Sequence, residues 1–132
     1  MLPATARLTH RDDFAAVLRK GRRAGRRHLV MHVLAPAVDA AVGEDSAGIG
    51  VRVGFVVSKA VGGSVVRHRV SRQLRHVLRD RLDRFPAGAR VVVRALPRSA
   101  SAHSSRLGAD VDDALHLLGL PGTPAGSGAG SQ

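Results

Sequence analysis

Arginine side chains repeat along one segment of the sequence at the spacing of a helix. Residues 65–82 read VVRHRVSRQLRHVLRDRL and contain six arginines, two histidines and a single acid, Asp80. The apolar residues among them recur every three or four positions, which indicates an amphipathic helix with a separate charged face. Like charges at this spacing repel one another. The face therefore needs an external anion, and the planar guanidinium group of arginine pairs well with phosphate oxygens.

The basic residues of this helix spread over the side opposite its apolar stripe. At about 100° per residue, Arg67 lies at the edge of that stripe. The other members of the face are His68, Arg69, Arg72, Arg75, His76 and Arg79. Lys59 and Arg52, on the strand before the helix, are candidates to extend the patch. A solvated surface helix is the alternative interpretation, but such helices usually alternate the signs of their charges.

The composition favours an anionic partner and excludes several kinds of site. The 132 residues include 21 basic and 10 acidic side chains, a net charge of +11, and small domains this basic usually bind nucleic acid or an anionic surface. Without cysteine, the chain cannot form a disulfide, a catalytic thiol or a cysteine-bound zinc site. It has neither a membrane-length apolar run nor the apolar stretch of a signal peptide. We expect a cytoplasmic protein that does not bind a membrane.

The seven histidines form no recognisable catalytic or metal-binding pattern. His28 and His32 belong to one predicted strand, where they would lie about 13 Å apart, too far to share one metal ion. HExxH, paired-carboxylate and Gly-x-Ser-x-Gly patterns do not occur. We therefore expect no catalytic residue, no metal site and no small-molecule substrate in the protein itself.

Periodicity and chain breakers place the basic helix in a small α+β domain. A first helix is predicted in THRDDFAAVLRKG, with Thr9 as its N-cap. Strands are predicted in HLVMHVLAP, VRVGFVVSKA and ARVVVRALP, and the basic helix, capped by Ser64, connects the last two. A strand, a helix and a strand in succession are typical of a βαβ unit with parallel strands. A final helix fits SSRLGADVDDALHLLG.

The same patterns predict which side chains share a face. Alternation places His28, Val30 and His32 on one face of their strand. The final helix is expected to have an acidic outer side formed by Asp110, Asp112 and Asp113. Residues 35–50 are predicted to be a mobile connection and residues 121–132 a disordered tail, since neither has a periodic apolar pattern. One domain, 1–120, precedes that tail.

The strand and helix residues together resemble the signature of the bacterial ribonuclease P protein subunit family. In that family a strand R-x-G-h-x-V-S-K-K, where h is apolar, leads through a glycine turn to a helix A-V-x-R-N-R-x-K-R-x-h-R-E. The matching residues here are Arg52, Gly54, Val57, Ser58, Lys59, Val65, Arg67, Arg69, Arg72 and Arg75. The opening ARLTHRDDF is similar to the family's R-L-x-x-x-x-D-F. The resemblance covers about residues 2–118.

The resemblance implies a fold that the residues alone do not specify. Its elements follow the order αβββαβα in a single domain with a four-stranded sheet, an arrangement shared with a domain of a ribosomal protein. The additional short strand would lie within GRRAGRR. The resemblance also implies a left-handed βαβ crossover, whereas physical reasoning alone favours a right-handed one.

The resemblance implies a function and its partners as well. The family's protein works with a large catalytic RNA that uses magnesium ions to remove the 5′ leader of precursor tRNA. By this resemblance, the arginines of the basic helix contact the RNA subunit, and a cleft between the first helix and the sheet holds the leader. The matching cleft positions are Phe14, Val30, His32 and Val56. The RNA would perform the chemistry, and no cofactor is expected on the protein alone.

Two departures from the family pattern fall on these candidate contacts. His68 stands where the family has asparagine, and His32 stands where members often have an aromatic ring. Histidine can donate a hydrogen bond and can stack, so both positions remain chemically suitable. The alternative function, from a different class, is a stand-alone RNA-binding or ribosome-associated module that uses the same basic helix.

Overall fold

The computed structural model describes residues 7–8, 11–35 and 50–120, apart from the side chain of Asp12. The helices and strands are α1 (Arg11–Lys20), β1 (Arg22–Gly25), β2 (Leu29–Leu34), β3 (Arg52–Val56), α2 (Ser64–Arg79), β4 (Arg90–Ala95) and α3 (Ser104–Leu117). Two 3₁₀ helices, Leu82–Arg84 and Pro97–Ser101, flank β4. The predicted cap Thr9, most of the predicted connection 35–50 and the predicted tail 121–132 lie outside the described residues.

The four strands form one mixed sheet in the order β1-β2-β4-β3. The β1–β2 and β2–β4 pairs are antiparallel, and β3 and β4 are parallel. The parallel pair is joined through α2, as predicted for a βαβ unit. β1, implied by the resemblance, lies within GRRAGRR. The predicted α+β fold with the order αβββαβα is therefore confirmed.

The sheet separates two layers of apolar side chains. On one face, alternate strand residues such as Met31, Val53 and Val93 pack against α2 and α3. On the other face, Val92 packs beneath α1 with Val17. This division follows from the period of two along each strand, which sends neighbouring side chains to opposite faces. The larger core therefore supports α2, and the smaller one positions α1 over the sheet.

Ser64 has a different place in α2 from the one predicted. The residue before the helix is Gly63, which has extended backbone angles and makes no side-chain capping bond. Ser64 is the first helical residue. The predicted N-cap is therefore displaced by one position, because the helix starts directly after the glycine turn.

His28 and Asp110 are placed differently from the predictions. His28 lies before β2, and its ring Nδ1 is 2.7 Å from Oδ2 of Asp110 on α3. The same oxygen accepts the backbone N–H of His28 at 2.9 Å. Asp110 is only 8% exposed, so it belongs to the interior and not to an acidic outer side. A carboxylate tolerates such burial when it accepts hydrogen bonds, as it does here.

Candidate nucleic-acid interface

The basic helix α2 is oriented by its apolar stripe. Val70, Leu74, Val77 and Leu78 are buried against the sheet and α3. Burial of about four such side chains supplies several kcal/mol, far more than the few tenths lost through each repulsive pair on the outer side. The packing of the stripe therefore holds the charged face toward solvent.

The outer side of α2 has little internal charge compensation. His68, Arg69 and Arg72 are exposed, and Arg67 and Arg75 are half-buried. Among the described residues, no carboxylate forms an ion pair with any of these arginines. Arg79 meets only its neighbour Asp80, at 3.6 Å. The field of this side is therefore available to an external anion.

The arginines of α2 lie on two flanks of the helix. On the side of the edge strand β3, Arg67, His68 and Arg75 line a hollow of about 310 Å³ together with Phe55 and Val57. On the opposite side, Nη2 of Arg69 donates to the carbonyl of Ala100. A single strand of phosphates would therefore contact either flank together with the crest between them, where Arg72 is exposed.

Lys59 and Arg52 have different relations to α2. Lys59 is exposed in the turn that leads into the helix, where its carbonyl accepts the N–H of Gly62. Arg52 alternates with Val53, whose side chain packs beneath α2 and α3, so the Arg52 side chain lies on the opposite face of the sheet. The structure thus brings Lys59 to the basic helix and places Arg52 with the residues beneath α1.

The four candidate cleft residues lie on one side of the sheet. Val30 and His32 on β2 and Val56 on β3 alternate with residues of the larger core, so they face α1. Phe14 of α1 and Val56 pack against the smaller core beneath that helix. The arrangement is a cleft with an apolar floor and one aromatic ring, which is the chemistry that stacks on single-stranded bases.

A close approach between α1 and β3 sets the position of Phe14. Val92 of β4 pairs with His32 on one side and Gly54 on the other. A β-carbon added to Gly54 would stand 2.6 Å from Cε1 of Phe14. Only glycine leaves room for the ring at this point, so Gly54 is part of the cleft although the signature residue carries no side chain.

Two further arginines lie beside the cleft and were missed by sequence reasoning. Arg94 is exposed and pairs in register with Val30 and Val56, and Arg23 pairs with His32. Both side chains therefore point to the same face as the candidate residues. The alternation in RVVVRA groups Arg94 with Val92, but no sequence signal shows that this face is the one beneath α1.

His32 is held in its neutral form by this environment. The ring is 4% exposed, and neither ring nitrogen has a hydrogen-bond partner among the described residues. Burial lowers the pKa of His32, and the positive charges of Arg94 and Arg23 lower it further. A neutral imidazole carries one donor and one acceptor nitrogen. His32 can therefore exchange hydrogen bonds with a nucleotide that enters the cleft.

An ion pair fixes α1 near one end of the cleft. Nη1 of Arg90 lies 2.8 Å from Oδ1 of Asp13. The two groups connect β4 to the first turns of α1, and each is about one-third exposed or less. Arg90 is therefore neutralised within the protein and is less suited to phosphate than Arg94.

The described part of the chain offers no metal or membrane site. No three His, Asp or Glu side chains in residues 7–8, 11–35 and 50–120 are grouped as ligands for an ion. Within the same residues, none of the helices combines the length and the apolar character needed to span a bilayer. The candidate chemistry of this surface is thus the binding of phosphates and bases.

Comparison with known proteins places this surface in a family. The family model described as Ribonuclease P matches residues 2–119. The Ribonuclease P protein component of Streptomyces avermitilis is 52% identical over 118 residues, which cover 89% of this chain and 95% of that protein. The protein of the same name from Corynebacterium diphtheriae is also 52% identical, with 89% and 97% covered.

Solved structures agree at the level of the fold. The RNase P protein of Staphylococcus aureus superposes with a TM-score of 0.69 at 18% identity, covering 87% of this chain and 96% of that one. The RNase P protein of Thermotoga maritima gives a TM-score of 0.63 at 19% identity, with 81% and 92% covered. Because the family model spans nearly all of the described residues and the curated relatives are half identical, the chain belongs to the ribonuclease P protein family.

Proposed function

We propose that this protein is the RNA-binding subunit of ribonuclease P, the enzyme that removes the 5′ leader of precursor tRNA. In this proposal α2 holds the catalytic RNA, and the cleft beneath α1 holds the leader. The name Ribonuclease P protein component, carried by relatives that are 52% identical, supports the assignment to an RNA-processing enzyme. The partners are therefore a large RNA and a precursor tRNA.

The observation that carries the proposal is the uncompensated charge of α2. Arg67, Arg72 and Arg75 have no carboxylate partner among the described residues, although buried apolar side chains hold the helix rigidly in place. A polyanion with regularly spaced phosphates neutralises such a face without requiring base-specific contacts. An RNA backbone meets this requirement.

The cleft supports the second half of the proposal. Its floor of Val30, Val56 and Val92 and the ring of Phe14 can contact bases, while Arg94 and Arg23 stand beside it for phosphates. Single-stranded nucleic acid is bound by this combination of an aromatic platform and a positive border. An unpaired 5′ leader fits, and a duplex does not need such a platform.

In this proposal the RNA performs the hydrolysis with magnesium ions, and the protein binds and positions. No protein residue is assigned a catalytic role or a magnesium ligand. The decisive experiment compares cleavage of precursor tRNA by RNA alone, by protein alone and by both at low magnesium concentration. We expect cleavage only with RNA present and a marked increase when the protein is added; cleavage by RNA-free protein would overturn the assignment.

The stand-alone RNA-binding module remains the alternative because it would use the same face of α2. Purification from cells separates the two functions. The proposed subunit should bring down one large RNA in equimolar amount. Recovery of ribosomal subunits without that RNA would favour the alternative.

A further inference from the structure

A second basic hollow lies away from both the outer side of α2 and the cleft. The β1–β2 turn, the 3₁₀ helix Pro97–Ser101 and the first turn of α3 enclose a pocket of about 300 Å³. Its polar lining consists of Arg27, His28, Ser101, His103, Ser105 and Arg106. We call it the Arg27 pocket. Its volume is at the lower end of the range for small-ligand sites, which suffices for one nucleotide unit.

The Arg27 pocket is positively charged and has no internal counterion. Arg27 and Arg106 are exposed, and neither pairs with a carboxylate among the described residues. The acids on the adjoining turns of α3 are already engaged, Asp110 by His28 and Asp113 by Arg26 at 3.7 Å. Two guanidinium groups converging on a polar hollow are suited to a phosphate group.

The buried pair beneath the pocket prepares His28 to accept a hydrogen bond. Oδ2 of Asp110 accepts the backbone N–H of His28 and lies 2.7 Å from its Nδ1. An ionised carboxylate can only accept, so the neutral ring carries its proton on Nδ1 and presents Nε2 as an acceptor. A ribose 2′-hydroxyl can donate to that nitrogen, whereas deoxyribose has no such group. The pocket therefore combines donors for phosphate with an acceptor for ribose.

The Arg27 pocket adjoins the basic helix through one short segment. Arg69 of α2 donates to the carbonyl of Ala100, and Nε2 of Gln73 donates to the carbonyl of Ala102 at 3.4 Å. The other side of this segment lines the pocket with Ser101 and His103. A nucleic-acid backbone held by the Arg69 flank of α2 thus needs only to pass residues 97–103 to reach the pocket.

We propose that the Arg27 pocket is a second RNA-binding site, which holds one ribose and its phosphate where the RNA backbone continues past α2. Arg27 and Arg106 bind the phosphate, and His28 accepts the 2′-hydroxyl. The proposal rests on the proposed function in one respect, that the polyanion on α2 is RNA. It widens the protein's footprint to a surface that contains none of the signature residues.

Charge-neutralising variants test the phosphate contacts. The double variant Arg27→Gln/Arg106→Gln is compared with Arg19→Gln/Arg22→Gln, which removes the same charge at two exposed positions outside the pocket. Affinity for the cognate RNA subunit is measured at several salt concentrations. We expect the pocket variant to bind about tenfold more weakly and its log–log salt slope to flatten by about 1.4, since each lost contact on single-stranded RNA removes about 0.7. A loss equal to that of the control would overturn the proposal.

Three probes distinguish the sources of the phosphate. Amide signals of Arg27 and Ser105 are followed by NMR in the full chain during addition of a single-stranded oligoribonucleotide, the same sequence as DNA, and inorganic phosphate. We expect RNA to shift these signals at lower concentration than DNA, with inorganic phosphate needing millimolar amounts. Equal effects of RNA and DNA would overturn the role of His28, and shifts with inorganic phosphate but none with RNA would overturn the RNA site itself.

Arg72→Ala separates this inference from the proposed function. If Arg72→Ala weakens RNA binding while the pocket variant behaves as its control does, the second site is absent and the role of α2 stands. If neither variant weakens binding, the proposed function itself fails.

Discussion

The ring of Phe14 lies directly over Gly54, with its Cε1 atom 2.6 Å from where a β-carbon would stand. This contact ties α1 to the edge strand of the sheet and leaves one face of the ring to the cleft region that Val56 and Val92 border. Glycine is thus required at this position by space, since no positive backbone angle is involved.

We predict that Gly54→Ala impairs the cleft without affecting the basic helix. The added methyl must displace Phe14, at a cost of about 1–3 kcal/mol in the free energy of unfolding. Holoenzyme affinity for precursor tRNA should fall, whereas affinity for the RNA subunit should change little. Gly63→Ala is the control, because nothing lies within 4 Å of its added β-carbon and only about 1 kcal/mol of capping free energy is at stake. Unchanged binding of precursor tRNA by Gly54→Ala would contradict the role of Phe14.

Replacing Arg72 should change the salt dependence of RNA binding. About four to six phosphate contacts should give a log–log slope of about −3 to −5, and Arg72→Ala should flatten it by roughly one unit because one contact releases about one counterion. Phe14→Ala should instead weaken precursor tRNA binding by the holoenzyme at every salt concentration and leave the slope for the RNA subunit nearly unchanged. Binding isotherms at several salt concentrations check both expectations. Equal slopes for the wild type and Arg72→Ala would mean that this arginine faces solvent in the complex.

The lowered pKa of His32 should make stability depend on pH. The unfolded chain binds a proton at His32 near its ordinary pKa of about 6.5, whereas the buried ring beside Arg94 and Arg23 resists protonation until lower pH. Its contribution is therefore present above about pH 6.5 and is lost as pH falls toward the folded-state pKa. His32→Phe cannot titrate, so it should lose less stability than the wild type between pH 7.5 and pH 5.5, as measured by urea unfolding. Identical losses in the two proteins would refute this account.

The pair of His28 and Asp110 should be important for stability. Asp110→Leu would leave the backbone N–H and ring Nδ1 of His28 buried without their acceptor, which should cost about 2–4 kcal/mol. Asp113→Asn serves as the control, because Asp113 is exposed and its 3.7 Å pair with Arg26 should contribute less than about 1 kcal/mol. Thermal unfolding of both variants compares them. A similar melting temperature for Asp110→Leu and the control would show that the buried pair contributes little.

The sequence by itself determined the local elements and the segregation of charge. A period of 3.6 exposed the stripe Val70, Leu74, Val77 and Leu78, and a period of two grouped Val53 with Phe55. These patterns depend only on residues close in the chain, so they can be recognised without the fold. The motif from Arg52 to Arg75 added the family, the short strand β1 and the order of the elements, which periodicity does not contain.

Tertiary structure alone decided which faces meet. Asp110 looked like an outward acid until α3 packed beside the β1–β2 turn and His28 supplied two hydrogen bonds to it. Arg52 was separated from α2, and Arg94 was brought beside Val30 and Val56, by the pairing of strands distant in sequence. Local periodicity shows which side chains share a face, but the partner of that face depends on long-range packing, in which the burial of the whole apolar surface outweighs the preference of any single polar residue for solvent.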